Sequence, residues 1–239
     1  MNSFLSALQF LTIIPVTCPS IVSDKQLGYS SVFYPVIGLL IGSVLAFLAY
    51  FLGNMPLPIL ATVILISWVL LTGGLHLDGL ADCADAWVGG LGDQQRSLEI
   101  MKDPAAGPIA VVILILMLLL KWTLISYLLQ KQAVEVLLIT PMLGRLALLI
   151  MMLFTRYIRA DGLGAKLVAN LPETQIKAIS LFGMIIALYY LGIVPIILML
   201  GMLFLIGHYA KKRLGGVTGD VYGAAVELVE ISVLLGVLI

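Results

Sequence analysis

The sequence has 239 residues, of which 62% are hydrophobic and only 11% are charged, and its mean hydropathy is +1.14. About a quarter of the residues in soluble domains are charged, so this composition indicates an integral membrane protein. Thirteen Lys and Arg residues balance thirteen Asp and Glu residues, which excludes a basic nucleic-acid-binding protein and an acidic disordered chain. The two cysteines, Cys18 and Cys83, do not suggest a disulfide-built secreted scaffold.

The N-terminal segment lacks the positive charges of a signal peptide, and the residues before Cys18 make a poor lipoprotein cleavage signal. We therefore expect Met1 to stay on the mature chain. The apolar residues of segment 4–15 predict a short helix that ends at Pro15 and lies on the bilayer surface.

Seven later segments are apolar enough to cross a membrane, because about 20 apolar residues span a hydrocarbon core of roughly 30 Å. The fifth and sixth meet at residues 192–195, where a tight hairpin would join them. The prediction is an all-α polytopic bundle of about seven transmembrane helices plus the N-terminal interfacial helix, in one domain over residues 1–239. The segments lie near 32–52, 57–75, 108–129, 133–154, 176–194, 195–211 and 222–239.

The distribution of charge predicts the orientation, because cytoplasmic loops retain Lys and Arg. Ten cations fall in loops on one side and only Lys131 falls on the other, while Lys121 and Arg145 lie inside predicted spans. Twelve of the thirteen acidic residues, all except Glu135, fall on or near the same side as the ten cations. We expect a multi-pass protein of the cell (inner) membrane with a cytoplasmic N-terminus and any active site on the cytoplasmic face.

Three carboxylates follow the second predicted span, at Asp78, Asp82 and Asp85. Offsets of four and seven residues in a helix place them within about 40° of one another on one face. Oxygen ligands in this arrangement suit Mg²⁺, or alternatively Mn²⁺, although a solvated polar face is the alternative. His76 would orient a ligand or act as a base, unless it is only an interfacial histidine.

Two further polar stretches are candidate substrate sites. In the first, Arg96 and Lys102 would neutralise phosphate oxygens and Asp103 would add to the metal shell, unless this is an ordinary surface helix. In the second, Lys212 and Arg213 precede a Gly-rich turn whose N–H groups can approach an anion, unless they only anchor the helix end. This turn contains Thr218 and Gly219, and a second acidic stripe follows at Asp220, Glu227 and Glu230.

Two cations lie within predicted spans. Arg145 is expected to face a polar interior, either as part of a functional site or in a structural ion pair. Lys121 is expected to extend its ammonium group towards the interface, and it is assigned no role.

Together these motifs resemble the cobamide synthase family, also called cobalamin 5′-phosphate synthase or adenosylcobinamide-GDP ribazoletransferase. The resemblance rests on Gly-Gly-Leu-His-Leu-Asp-Gly-Leu-Ala-Asp-Cys-Ala-Asp at 73–85, Leu-Glu-Ile-Met-Lys-Asp at 98–103 and Gly-Gly-Val-Thr-Gly-Asp at 215–220. It continues to the Val-Glu-Leu-Val-Glu of 226–230 and includes the N-terminal Phe-Leu-Thr-Ile-Ile-Pro of 10–15, so it runs the length of the chain.

The resemblance implies a Mg²⁺-dependent membrane transferase that joins adenosylcobinamide-GDP to α-ribazole or α-ribazole 5′-phosphate and releases GMP, in the late nucleotide-loop assembly of vitamin B12-type cofactors. Together with the residue patterns it assigns catalysis to Asp82, Asp85 and His76. The metal ligands would be drawn from Asp78, Asp82, Asp85, Asp103, Asp220 and Glu227. Substrate contacts would come from Arg96, Lys102, Arg145, Lys212, Arg213, Thr218 and Gly219.

Two other functions are compatible with carboxylates on membrane helices. A CDP-alcohol phosphotransferase of lipid synthesis also places aspartates at a cytoplasmic face, but the sequence has only part of that motif, at 78–82. A membrane carrier would place its site near the bilayer midplane rather than at one face. The expected partners are the two substrates and the lipid bilayer, without nucleic acid, and the oligomeric state is left open, a homo-oligomer included.

Overall fold

The computed structural model describes residues 2–16, 23–160 and 162–239, so the expectations about Met1, Cys18 and Asp161 lie outside the described residues. Within these ranges the chain is helical, without a strand and with one isolated bridge between Tyr157 and Val217. The helices are α1 (Asn2–Leu11), α2 (Asp24–Ser30), α3 (Tyr34–Phe51), α4 (Leu57–Thr72), α5 (Leu75–Gly89), α6 (Gln94–Ile100), α7 (Pro108–Gln130), α8 (Val134–Phe154), α9 (Leu163–Ala169), α10 (Glu173–Leu191), α11 (Ile193–Leu214) and α12 (Gly219–Gly236).

The number of spans depends on how two regions are counted. Among the described residues, five helical stretches are long and apolar enough to cross a membrane, namely α2–α3, α7, α8, α10 and α11. α4 and α5 pass the same test only together, as a pair bent by 87°, which raises the count to six. The all-α membrane bundle is confirmed, and the predicted count of about seven requires α12, which carries three acidic residues, to be counted as well.

The N-terminal helix predicted within segment 4–15 is present as α1, which ends at Leu11, before Pro15. It packs against α2 and α3, and Ala7 and Leu11 are fully buried there. Phe10 and Ile13 remain exposed.

α3 and α8 form the most extensive helix pair of the bundle, because glycines on α3 let the two backbones approach closely. Gly38 and Gly42 lie one turn apart, the small-xxx-small spacing that lets membrane helices approach closely. A methyl group on Gly38 would come within 2.5 Å of the Pro141 carbonyl oxygen, and one on Gly42 would collide with the Leu138 carbonyl oxygen.

α12 is the central helix of the bundle. It packs against α5, α7, α8 and α11, and every residue from Val221 to Leu234 except Leu228 is buried. α5 crosses it at glycine positions, where a methyl group on Gly223 would lie 3.4 Å from the His76 Cα atom.

The polar loops meet at one end of the bundle, which we call the charged face and which comprises residues 73–107, 155–160, 162–172 and 211–220. Gln94 Nε2 donates to the Leu214 carbonyl oxygen at 2.7 Å, which joins α6 to the end of α11. Near the N-terminal segment, the Ile13 N–H donates to the Leu71 carbonyl oxygen at 3.0 Å, which places the end of α4 there. These contacts hold part of the charged face together, while the segregation of all the charges to one side and the orientation in the cell stay predictions.

Candidate active site at the charged face

The turn between α4 and α5 directs the first two carboxylates. Gly73 and Gly74 have φ values of 62° and 69°, a left-handed conformation that glycine adopts readily, and the chain turns there by 87°. α5 then carries Asp78 and Asp82 four residues apart, on one side of the helix. Asp78 is exposed and Asp82 is half-buried, so both are accessible from the charged face.

The start of α12 supplies a third carboxylate. The buried Thr218 caps this helix, because its hydroxyl accepts a backbone N–H of the first turn at 3.3 Å. The same hydroxyl lies 3.3 Å from Asp220 Oδ2 and donates to it. A methyl group on Gly79 would lie 2.7 Å from the Asp220 carbonyl oxygen, so α5 passes directly beside it. We call Asp78, Asp82 and Asp220 the carboxylate site.

Arg159 provides the cation of this site. Its Nη2 atom lies 2.7 Å from Asp220 Oδ2 and also donates to the Met101 carbonyl oxygen at 3.3 Å. The loop that carries it is fixed to the segment before α12, where the Ile158 N–H donates to the Val217 carbonyl oxygen at 3.0 Å. Arg159 thus connects the loop after α6, the loop after α8 and the start of α12.

The charges of the carboxylate site are unbalanced. Asp82 is repelled most by Asp220, then by Asp78 and more weakly by Asp85, whereas Arg159 attracts it. One guanidinium group faces three carboxylates, which leaves an excess of negative charge. A divalent cation relieves such repulsion, because opposite charge within a few ångströms favours the ionised carboxylates.

The donor set of the carboxylate site suits Mg²⁺. In the described part of the chain, no three His, Cys, Asp or Glu side chains lie together so that they could hold a metal ion by themselves. Mg²⁺ is usually bound by one or two carboxylates together with waters and substrate phosphates, rather than by a cage made entirely of protein. An all-oxygen site with an exposed side at Asp78 is therefore compatible with a metal that is completed by substrate.

Tyr157 forms one wall next to the carboxylate site. Its ring stacks on that of Tyr222, with centroids 5.9 Å apart and an angle of 25°, and it forms a backbone hydrogen bond with Gly219. Burial raises the pKa of Tyr157, Arg159 acts in the opposite direction, and Asp220 adds to the increase. The phenol is therefore protonated at neutral pH.

Asp85 faces a different neighbour from the other two aspartates of α5. Its carboxylate accepts the Gly107 N–H at 2.6 Å and the Ala110 N–H at 2.9 Å, at the N-terminus of α7. A carboxylate is stabilised there by unpaired N–H groups and by the helix dipole. The predicted stripe of three is thus divided: Asp78 and Asp82 lie with Asp220, whereas Asp85 anchors α7.

The predicted site residues around α6 are exposed, namely Arg96, Lys102 and Asp103. Among the described residues, none of them forms a hydrogen bond or ion pair with a residue of the carboxylate site. Arg96 lies 3.8 Å from Glu99, and both side chains are more than half exposed. Asp103 accepts the Ala105 N–H at 3.0 Å, as in a turn. Lys102 is exposed on the charged face, where it lines a shallow depression with Glu99.

The end of α11 places the two predicted cations in different surroundings. Arg213 packs its guanidinium group over the Trp87 ring, 4.6 Å from the centroid, and donates to the Ala86 carbonyl oxygen at 3.3 Å. Lys212 is exposed. Gly219, the first residue of α12, is exposed beside Tyr157.

A buried ionic network lies deeper in the bundle and consists of Lys121, Arg145, Glu227 and Glu230. Lys121 Nζ lies 3.0 Å from Glu227 and 2.5 Å from Glu230, and Arg145 pairs with Glu230. The expectation that Lys121 extends to the interface is wrong, because the residue is 2% exposed and also lies over the Trp68 ring. Glu227, predicted as a metal ligand, and Arg145, predicted as a substrate contact, are placed in this network rather than with the aspartates.

His76 is buried between α5 and α12, and only 3% of it is exposed. Its Nε2 atom has no hydrogen-bond partner among the described residues. It lines a cavity of 230 Å³ together with Asp78 and Asp220, so the imidazole lies beside the carboxylate site and at the edge of a space that can hold a ligand.

Sequence reasoning missed Arg159, Tyr157 and the pairing of Lys121. Arg159 was counted only as one of the ten loop cations, and its position shortly after a long apolar segment was the available signal. Tyr157 gave no signal in the sequence. The partners of Lys121 lie more than 100 positions away, so local spacing could not reveal them.

The fold and the site define a class of protein: a helical membrane protein with a carboxylate site paired to Arg159, and with further arginines and lysines at the same end of its bundle. The family model of cobalamin-5-phosphate synthase matches residues 3–238. The chain belongs to this cobalamin-5-phosphate synthase family.

Curated relatives agree with the family model. The chain is 48% identical to adenosylcobinamide-GDP ribazoletransferase of Pseudomonas fluorescens over 99% of both chains. It is 46% identical to the enzyme of the same name from Stutzerimonas stutzeri, over 99% of this chain and 97% of that one. Identity to the Acinetobacter baumannii enzyme of that name is 44%, over 96% and 94%. No solved structure matches the chain.

Proposed function

We propose that this chain is an adenosylcobinamide-GDP ribazoletransferase, which joins adenosylcobinamide-GDP to α-ribazole or α-ribazole 5′-phosphate and releases GMP. The family membership and the names of the relatives support this reaction. The structural observation that carries the proposal is the juxtaposition of Asp78, Asp82 and Asp220 with Arg159 at one end of the bundle.

The reaction transfers a substituted phosphoryl group, and the carboxylate site has groups suited to each part of it. A ribose hydroxyl of the acceptor forms a bond to the phosphorus next to cobinamide, and the bond from that phosphorus to the oxygen shared with the GMP phosphate breaks. Asp82 would accept the hydroxyl proton, because it is half-buried and, unlike Asp220, is not paired with Arg159. Arg159 is positioned to neutralise phosphate oxygens through its planar guanidinium group.

We further propose Mg²⁺, or alternatively Mn²⁺, as the cofactor. One or two of Asp78, Asp82 and Asp220 would hold it together with waters and substrate phosphates, and when bound it would neutralise the diphosphate and so favour departure of GMP. Asp103 and Lys102 lie on the same face and would take part only if substrate brings the loop after α6 closer. Asp85 would act through the position of α7, because its oxygens already accept two backbone N–H groups.

The proposed location is the cell inner membrane, with the charged face in the cytoplasm. By the sequence, ten of the thirteen cations fall between the predicted spans on the side of that face, and the cytoplasmic side of a membrane protein retains Lys and Arg. Adenosylcobinamide-GDP is charged and the ribazole acceptor is polar, so a site at the aqueous end of the bundle suits them better than one at the bilayer midplane.

The test is GMP release by the purified protein in lipid vesicles. We expect release from adenosylcobinamide-GDP only when α-ribazole and Mg²⁺ are both present, and loss of release when EDTA is added. A CDP-alcohol with a lipid acceptor, offered in parallel, should not react. GMP release independent of ribazole, or turnover only with the CDP-alcohol, would overturn the proposal.

A further inference from the structure

A cavity of 230 Å³ adjoins the carboxylate site and is lined by residues of α2, α5, α8, α9, α12 and the end of α1. Asp78 and Asp220 lie at its border with the carboxylate site, and Tyr157 and Tyr222 form one side. Most of the remaining lining is apolar: Phe10, Leu27, Leu75, Leu148, Met152, Leu163 and Leu167. We call this space the base cavity.

Two residues that line the base cavity, His76 and Tyr222, have a buried side-chain atom that lacks a hydrogen-bond partner among the described residues. His76 lines it, is 3% exposed, and its Nε2 atom has no hydrogen-bond partner among the described residues. Buried polar groups are almost always hydrogen-bonded, so an unpaired one at the edge of a cavity indicates a missing ligand or water. A ligand atom that pairs with Nε2 would complete the site.

The volume and lining of the base cavity favour a single aromatic ring system. Sites for drug-sized ligands have volumes of about 300 Å³ or more, and the base cavity is smaller than this. It is therefore too small for a whole nucleotide. The stacked rings of Tyr157 and Tyr222 and the ring of Phe10 supply aromatic surface, which packs well against another aromatic ring.

We propose that the base cavity binds the benzimidazole base of the ribazole acceptor, with His76 Nε2 paired to the unsubstituted ring nitrogen. This inference rests on the proposed function. Guanine, the other aromatic base of the reaction, has several donors and acceptors that would be left unpaired in a mainly apolar space. Benzimidazole has one free ring nitrogen, which accepts a single hydrogen bond, and His76 Nε2 can donate it; the Tyr222 hydroxyl is the other unpaired atom among the lining residues. The ribose of the acceptor would then lie beside Asp78 and Asp220.

A second cavity, of 400 Å³ between α5, α7, α11 and α12, is a poorer candidate for the base. Its walls are almost entirely apolar, and none of the residues that line it has a buried polar atom without a partner. Exposed apolar residues such as Val88 and Leu205 form part of its edge. This cavity therefore supplies the control position for an experiment.

The first experiment measures selectivity between acceptors of different size. The full-length protein in vesicles is assayed with the α-ribosides of benzimidazole and of 5,6-dimethylbenzimidazole. Leu163→Trp, at the exposed edge of the base cavity, should lower kcat/KM for the dimethyl compound about 10-fold more than for benzimidazole, since a methyl-sized difference in a pocket gives about 10- to 200-fold discrimination. Leu205→Trp, in the second cavity, should lower both equally or not at all.

The second experiment separates binding of the base from other roles of His76. His76→Leu should raise KM for α-ribazole about 10-fold or more and leave KM for adenosylcobinamide-GDP nearly unchanged. His76→Gln, which keeps an amide donor, should recover part of the loss. Equal changes in both KM values, or a fall in kcat alone, would overturn the assignment of His76 to the base.

The outcomes for the two proposals are distinct. Absence of ribazole-dependent GMP release in the unaltered protein would refute the proposed function. Normal turnover of the unaltered protein, combined with unchanged selectivity in Leu163→Trp or a selectivity change in Leu205→Trp, would refute the base cavity alone.

Discussion

Asp82 is the residue on which the chemistry of the carboxylate site depends most directly. It is half-buried, and the two other carboxylates of the site repel it. The two neighbouring carboxylates make the ionised form of Asp82 less favourable, and an incoming proton or cation would remove this repulsion. Carboxylates that repel one another in this way are common in active sites.

Replacing this carboxylate tests its role without changing its shape. We expect Asp82→Asn to lower kcat by roughly 100- to 1,000-fold, the loss typical of removing one electrostatic contact with a reacting group. The variant should still insert into the membrane, as measured by its yield in the membrane fraction. Asp24→Asn, an exposed change on α2, is the matched control and should keep normal turnover. Near-normal activity of Asp82→Asn would contradict the assignment.

Arg159 is a residue whose role only the folded chain reveals. Arg159→Gln should reduce kcat/KM by about 10- to 100-fold, because a charge-assisted hydrogen bond contributes about 1.5–3 kcal/mol. Arg159→Lys should retain part of the activity, since it keeps the charge but loses the planar geometry. Arg156→Gln, an exposed change three residues earlier, should have little effect on GMP release. Equal losses in the Arg159→Gln and Arg156→Gln variants would point to the charge of the loop instead.

At the scale of elements, the contact between α3 and α8 depends on the absence of side chains at two positions. Gly42→Ala should destabilise the protein by about 1–3 kcal/mol, because the added methyl group meets the Leu138 carbonyl oxygen, which belongs to the backbone. Gly201→Ala, on α11, is the control, since a methyl group there has nothing within 4 Å. Thermal unfolding in detergent measures both, and equal Tm values would show that the helices can separate at no cost.

The buried ionic network joins α7, α8 and α12, and its charges cancel. Lys121→Met leaves two buried carboxylates with Arg145 alone, so we expect a loss of about 3–5 kcal/mol in unfolding free energy. The double variant Lys121→Met with Glu227→Gln restores neutrality and should recover most of the loss. Lys131→Met, exposed at the other end of α7, is the control. No recovery in the double variant would mean that Lys121 acts through packing on Trp68 rather than through charge.

The buried ionic network also explains how α12 can have one carboxylate at the charged face and two inside the bundle. Asp220 lies at its first turn, with Arg159, while Glu227 and Glu230 lie two to three turns further along and are paired inside the bundle. The same helix thus supplies the carboxylate site at one end and is held in place by ion pairs in its middle.

At the scale of the whole molecule, the orientation in the membrane is open to a direct test. In intact cells, a membrane-impermeant maleimide should label Lys131→Cys, whereas Lys177→Cys should react only after the membrane is opened. The reason is that Lys131 lies at the end of the bundle opposite the charged face, and Lys177 lies next to the charged face. The reverse pattern of labelling would place the carboxylate site outside the cell.

The class of the protein and most of its elements could be predicted from the sequence, because both depend on local properties. Apolar segments of span length and the break at Gly192 appear in the structure close to where the sequence placed them, whereas the turn at Gly73 and Gly74 falls inside the predicted span 57–75. Four-residue spacing placed Asp78 and Asp82 together because helical geometry is regular.

Only the tertiary structure decided which charges meet. Asp85 has the same spacing as its two neighbours, yet it accepts N–H groups of α7, because α7 begins beside it. Glu227 and Glu230 continue the stripe of Asp220 in the sequence, yet they pair with Lys121 and Arg145, because α7 and α8 pass the middle of α12. Partners in a membrane bundle are set by helix packing between distant segments, and local spacing contains no information about that packing.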